Sequence, residues 1–213
     1  MENPWNAFFG ELSEKQRKQL EYYHELLKRK NGSINLLSRK QSEQILTHHI
    51  FPCLAIGSVL PFSDGSRIMD VGTGGGLPGI PLAIRFPNCQ FLLIDSIGKK
   101  ICAVEEFIDA IGLCNVSTFH GRVEQLPYGQ RFNVAMGRAV AAIPKFFHWS
   151  WKYIEQTHGA DTNNCNDGLI YLNGGEPPSD WNSLGLPTPR IIPLEDFFLR
   201  RYAIGKWIAH FRR

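Results

Sequence analysis

Between residues 72 and 79 the chain carries five glycines, Gly72, Gly74, Gly75, Gly76 and Gly79, directly after Ile68-Met69-Asp70-Val71. Ile68, Met69 and Val71 predict the end of a buried strand, with Asp70 at its carboxyl edge. Glycine tolerates positive φ and has no Cβ, so such a loop turns sharply and can present backbone N–H groups to a ligand. At the carboxyl end of a parallel strand, that is where open α/β sheets bind nucleotide-like ligands. A purely structural turn has no need of so many glycines. The loop therefore restricts the chain to an α/β fold with a ligand crevice.

The rest of the sequence fits that class. Strands are expected at 66–71, 90–95, 116–120, 132–137 and 168–173, with helices at 79–86, 99–112 and 143–155. This alternation predicts a mainly parallel sheet covered by helices on both faces. Two late strands, about 190–194 and 202–211, predict a C-terminal antiparallel hairpin. Residues 156–167 read as a polar surface loop, and residues 174–190, with four prolines and three glycines, as a long irregular connection. Ahead of the sheet, residues 11–30 form an amphipathic helix opened by a Ser13/Gln16 capping box, with Leu20, Tyr23, Leu26 and Leu27 as its apolar stripe. A second helix is expected over 43–60, limited or kinked by Pro52. The expected division is a helical N-terminal extension, 1–62, and an α/β domain, 63–213.

Two ligand classes compete for the glycine loop. Gly74-Gly75-Gly76-Leu77-Pro78-Gly79 matches the dinucleotide pattern G-x-G-x-x-G. The stretch from Asp70 to Gly76 also reads acid-x-Gly-x-Gly-x-Gly, the form typical of S-adenosylmethionine (AdoMet) methyltransferases. A dinucleotide wants an uninterrupted helix N-terminus against its pyrophosphate. Here Pro78 and Pro81 bracket the first turn, and proline has no N–H to give. A sulfonium amino acid carries no phosphate and loses little, so AdoMet is the better fit. Asp95 ends the apolar run Phe91-Leu92-Leu93-Ile94, 25 positions after Asp70. An acid there can accept hydrogen bonds from ribose hydroxyls, a role common to both classes, and can also cap the helix near Gly98.

Other strand ends supply further candidates. An acidic or amide side chain in His120-Gly121-Arg122-Val123-Glu124 can read the amino group of adenine. Arg138, after the fourth strand, is the residue most expected to face a substrate. No metal is expected: the adjacent pair His48-His49 points about 100° apart on a helix, and no His/Cys cluster has zinc spacing. The five cysteines contain no C-x-x-C pair, and no export signal or membrane-length apolar run is present, so reduced, mostly buried thiols in a cytoplasmic protein are expected. Net charge is only +3, which permits nucleic acid without requiring it. The basic residues of the N-terminal part, Lys15, Arg17, Lys18, Lys28, Arg29, Lys30, Arg39 and Lys40, are either a solvated face or a phosphate grip.

Asn35-Leu36, His49-Ile50, Asp70 to Pro81, Asp95-Ser-Ile-Gly-Lys-Lys100, Gly121-Arg-Val-Glu124 and Gly137-Arg-Ala139 occur in this order. With them the chain resembles the glucose-inhibited division protein B family, bacterial 16S rRNA guanine-N7 methyltransferases, over roughly residues 30–175. The resemblance implies a Rossmann-like AdoMet-dependent methyltransferase fold. It implies that Gly72, Leu77, Val123, Glu124 and Arg138 contact AdoMet, joining Gly74, Gly76 and Asp95 from the loop reading. It further implies a guanine in the decoding-region loop of 16S rRNA, free or in the small ribosomal subunit, as target. A monomer is expected. Arg138 is the candidate catalytic residue, a cation able to hydrogen-bond guanine O6 or a neighbouring phosphate. Where the family usually has Leu-Lys-Gly, this chain has Leu172-Asn173-Gly174, so a cation expected near the reaction centre is missing. An AdoMet enzyme of another substrate, an RNA-binding protein with weakened catalysis and a dinucleotide oxidoreductase remain the alternatives.

Overall fold

A computed structural model describes residues 12–37, 44–155, 167–196 and 205–213. Arg39, Lys40, Cys165, nearly all of the polar loop expected at 156–167 and the start of the last expected strand lie outside them.

Seven strands form one sheet: β1 (Arg67–Val71), β2 (Gln90–Asp95), β3 (Val116–His120), β4 (Val134–Arg138), β5 (Gly168–Gly174), β6 (Arg190–Pro193) and β7 (Lys206–Arg212). Their order is β3-β2-β1-β4-β5-β7-β6. β1 to β5 pair in parallel, and β7 runs antiparallel between β5 and β6. This is the expected Rossmann-like arrangement with a C-terminal hairpin. The chain leaves β1 toward β2 and β3, then returns to place β4 on the other side of β1. That reversal opens a crevice at the carboxyl ends of β1 and β4, the place where sheets of this type hold ligands.

Alternation along the strands separates two cores. Ile68, Leu93, Met136, Ile170 and Ile208 pack under α1 (Glu14–Asn31), α2 (Phe51–Val59), α3 (Gly79–Arg85) and α4 (Gly98–Ile111). Met69, Val71, Ala135, Tyr171 and Phe211 face α5 (Ile143–Ser150). On that side Trp181 pins the irregular connection, packing edge-on to Trp207 and Phe211 at 6.3 and 5.7 Å.

The capping box of α1 is formed, and Leu20, Tyr23, Leu26 and Leu27 are buried as its periodicity requires. The helix joins the rest through caps. Gln16 Nε2 donates to the carbonyls of Ile84 and Arg85 at the end of α3, and Gln19 Nε2 to Ile111 at the end of α4. These satisfy helix-terminal carbonyls that have no partner within their own helix.

Two expected helices are interrupted. The helix expected over 43–60 is a π-helical turn, Leu46–Ile50, followed by α2 with Pro52 in its first turn. Pro52 has no N–H for the carbonyl of His48 four residues back. The helix expected over 143–155 stops at Ser150, and a 3-10 turn, Trp151–Tyr153, follows. Phe132 N–H donates to Tyr153 and Glu155 N–H to Phe132, both at 2.9 Å. That pairing draws Ile154 out of the helix, and it starts β4 two residues later than expected. Cys53 and Cys89 are buried, whereas Cys102 and Cys114 are exposed. Among the described residues no helix is long and apolar enough to cross a membrane.

Candidate active site

The glycine loop is tied down by its own backbone. Gly72 and Thr73 N–H groups donate to Ile94, those of Gly76 and Leu77 to Thr73, and that of Gly74 to Asp95 Oδ2 at 3.0 Å. The expectation of N–H groups offered to a ligand is therefore not met at these five positions. The entry to α3 is closed in the same way. Gly79 N–H donates to Asp70 Oδ2 at 2.9 Å, Ile80 N–H donates to Gly76, and Pro78 and Pro81 have none. A carboxylate of the chain thus occupies the place at the helix N-terminus that a bound phosphate would take. This loop is built for a ligand without a pyrophosphate.

Glycine is required at two loop positions by neighbours inside the protein. Gly72 has φ +72, and a Cβ there would lie 2.2 Å from Val140 Cγ2. Gly76 has φ +92, and its Cβ would lie 2.4 Å from Ile80 Cδ1. Tyr23 of α1 reaches the same loop, its hydroxyl donating to Gly75 O at 2.8 Å.

The crevice has two lobes that share Gly72, Lys100 and Ala139. Ala139 has φ +52, an uncommon backbone state for a residue with a side chain, at the point where the lobes meet. The lobe toward β3 encloses about 340 Å³ and is lined by Asp95, Ile97, Val123, Glu124 and Trp149 among others. Asp95 is 7% exposed and accepts from Gly74 N–H and, through Oδ1, from Ile97 N–H at 2.9 Å. Its two oxygens offer about four lone-pair sites, so it retains acceptors for hydroxyl groups. Asp95 does not cap α4 as its alternative reading expects: the N-cap is Ile97, which has no side-chain cap, and Asp95 holds only the N–H of Ile97 ahead of the helix. Val123 is buried and Glu124 exposed, both in a 3-10 turn after β3.

The lobe toward β5 encloses about 470 Å³, and Gly72, Gly74 and Leu77 line it with Arg138, Asn173, His49 and Lys206. Gly76 lines neither lobe. Arg138 Nη2 lies 3.0 Å from His49 Nδ1, and Nη1 donates to His49 O at 3.4 Å. Lys206 Nζ donates to His48 O at 2.7 Å, the carbonyl that Pro52 leaves without a donor four residues on. The π turn thus supplies the oxygens that seat both cations. Burial, then the charge of Arg138 and next that of Lys206, push His49 down to about 3. Burial holds Lys206 down to about 8. Asn173 Oδ1 accepts the N–H of Gly174, and Lys206 is paired across the sheet from Gly174. A cation therefore enters the cavity from β7 beside the position where the sequence lacks one.

Sequence patterns do not single out Lys206, and they mark His49 only as a rejected metal ligand and part of a family motif. Neither could be recognised locally, because the antiparallel insertion of β7 and the π turn bring them to the cavity. The residues present suit AdoMet on structural grounds: retained Asp95 acceptors in one lobe, a phosphate-excluding loop between, and cations in the other.

A family model described as rRNA small subunit methyltransferase G matches residues 16–159. The ribosomal RNA small subunit methyltransferase G of Cytophaga hutchinsonii is 39% identical over 203 residues, covering 95% of each chain. That of Christiangramia forsetii is 40% identical over 191 residues, 90% of this chain and 87% of that one. One from Bacteroides fragilis is 43% identical over 169 residues, covering 79% and 80%. Among solved structures, a mutant of MtNAS superposes with TM-score 0.58 at 15% identity, over 92% of this chain and 72% of that one, a likeness of fold. Sequence, fold and crevice agree, and the chain belongs to the rRNA small subunit methyltransferase G family.

Proposed function

We propose that this chain transfers the methyl group of AdoMet to N7 of a guanine in 16S rRNA, acting as a cytoplasmic monomer on the RNA or the small subunit. The observation that carries the reading is the glycine loop at the β1/β4 reversal, whose helix entry is closed to phosphate by Asp70 and opens onto two lobes. Bound there, AdoMet supplies an electrophilic methyl group on a sulfonium sulfur.

The lobe toward β3 takes the nucleoside. Asp95 accepts the ribose hydroxyls, Val123 provides an apolar wall and Glu124 meets the adenine edge. Gly72, Gly74 and Leu77 form the floor between the lobes, and Gly76 holds the turn behind them. In the other lobe Arg138 keeps N–H donors beyond those facing His49, since a guanidinium carries five. These hold an anionic oxygen, the cofactor's carboxylate or a phosphate beside the guanine, and make Arg138 the catalytic residue we assign. Lys206 and Lys100 add charge for the RNA backbone. Guanine N7 brings its own lone pair, so the chain needs no general base. Its contribution is alignment of the reacting groups. The N7 edge is hidden in the deep groove of an RNA helix, so the target must lie in an open loop. The described part of the expected N-terminal extension walls the cavity through Leu36, Leu37, His48, His49 and Pro52.

Mass mapping of 16S rRNA from cells with and without the gene tests this reading. Loss of one N7-methylguanosine in the deleted strain, restored by the purified chain with AdoMet, is expected. An unchanged methylation pattern would sink it.

A further inference from the structure

Arg138 is always charged and has only donors. Its Nη2 lies 3.0 Å from His49 Nδ1, so Nδ1 must be the accepting nitrogen. The imidazole is then neutral with its proton on Nε2. Protonation of Nδ1 would set two donors against each other, in keeping with the depressed pKa of about 3. The Nε2–H is buried and has no hydrogen-bond partner among the described residues. The ring is 7% exposed and lines the same lobe as Gly72 to Gly75, Asn173 and Lys206. A buried donor without an acceptor weakens a fold, and beside a substrate cavity a small shift of the lining on binding brings a ligand oxygen within its reach.

The N7 edge of a purine offers a choice. Guanine presents N7 and O6 as acceptors, whereas adenine presents N7 beside an amino donor. A ring that is donor-only at Nε2 accepts the first and opposes the second. We propose that His49 is a specificity-determining residue whose Nε2–H, held in the donor tautomer by Arg138, donates to O6 of the target guanine. The proposal rests on the guanine-N7 reading above and adds to it the group that recognises the base. Arg138 acts here on the tautomer as well as on charge, and the π turn places both groups.

The test uses the full chain and small-subunit rRNA ligated from pieces that carry guanine or 2-aminopurine at the target. The analogue keeps N7 and lacks O6. With the wild-type chain, 2-aminopurine is expected to lower kcat/KM by about 10- to 100-fold, the effect of leaving a buried donor unpaired. His49→Asn retains an acceptor for Arg138 and removes the distal donor. It should lose about the same factor on guanine and no more than about threefold further on 2-aminopurine, because the two changes delete one interaction. His49→Gln, which can return an amide N–H near the position of Nε2, should recover part of the guanine rate. Thermal unfolding of both variants separates this result from misfolding. Equal penalties for 2-aminopurine in the wild type and His49→Asn would overturn the proposal, as would a wild-type chain indifferent to the analogue. If the wild type binds AdoMet but leaves the guanine control unmethylated, the guanine-N7 reading itself fails instead.

Discussion

Asp70 Oδ2 accepts the backbone N–H of Gly79 at 2.9 Å and the hydroxyl of Thr73 at 2.7 Å, so the end of β1 is tied to the start of α3 across the glycine loop. Both donors use Oδ2, and Oδ1 is buried without a partner among the described residues. Burial raises the carboxyl to about 6 against the favourable pull of the two hydrogen bonds.

Replacement of this anchor is therefore expected to act in two ways. Asp70→Asn turns one acceptor oxygen into a donor, and the loop should lose about 1–3 kcal/mol with weaker AdoMet binding. The pH dependence has a definite sign. The folded pKa lies above the unfolded value of about 3.9, so the native state holds the proton longer. The stability contributed by this group is complete below about pH 4 and is lost as pH rises through about 6. Urea unfolding at pH 4 and pH 7 should show the wild-type advantage over Asp70→Asn shrinking at the higher pH. A constant difference would remove the buried-carboxyl account.

Gly72 tests the loop from the packing side. In Gly72→Ala the new methyl would lie 2.2 Å from Val140 Cγ2, on a backbone at φ +72. The positive φ costs roughly 1–2 kcal/mol for an L-residue, and the overlap roughly 1–3 kcal/mol more. Adding Val140→Ala removes the 2.2 Å contact but leaves the Cβ of residue 140 at 2.8 Å, so it should relieve the overlap in part and leave the φ cost. Thermal unfolding is expected to rank wild type above the double variant and the double variant above Gly72→Ala.

The sheet and its ligand loop were legible in the sequence because each signal is local. Phe91 to Ile94 is an uninterrupted apolar run, and the prolines at 78 and 81 speak directly about helix donors. What escaped was whatever depends on contacts far apart in the chain. The free N–H groups expected of the glycine loop are consumed by Ile94, Thr73 and Asp95, which no pattern within residues 72–79 reveals. Pro52 announced a break in its helix, but not that the released carbonyl of His48 would receive Lys206, 158 residues away. The apparent loss of a cation at Asn173 shows the same limit, since the compensating charge comes from a strand inserted antiparallel next to β5.

His49 should leave its own mark on stability. Its native pKa is depressed to about 3, so below about 6.5 the unfolded chain takes up a proton that the folded ring refuses. Its contribution is present above pH 6.5 and is lost as pH falls toward 3, at roughly 1.4 kcal/mol per pH unit. Between pH 7 and pH 5 the wild type should lose about 2 kcal/mol relative to His49→Gln in urea unfolding. Parallel pH profiles for the two proteins would mean that the imidazole titrates as it does in water.

Lys206 provides the clearest test of how the cavity meets RNA. Burial, with Arg138 adding to it, holds the ammonium down to about 8, so its charge fades just above physiological pH. If that charge grips a phosphate, RNA affinity should fall as pH rises through about 8 in the wild type. Lys206→Arg should abolish the fall, because a guanidinium stays protonated throughout this range. Lys206→Gln should weaken binding at all pH values and reduce the slope of log affinity against log salt by about 0.7, the value for one phosphate on single-stranded nucleic acid. AdoMet affinity measured on the same samples separates the two lobes. A Lys206→Gln chain with unchanged salt slope but weaker AdoMet binding would place Lys206 with the cofactor instead.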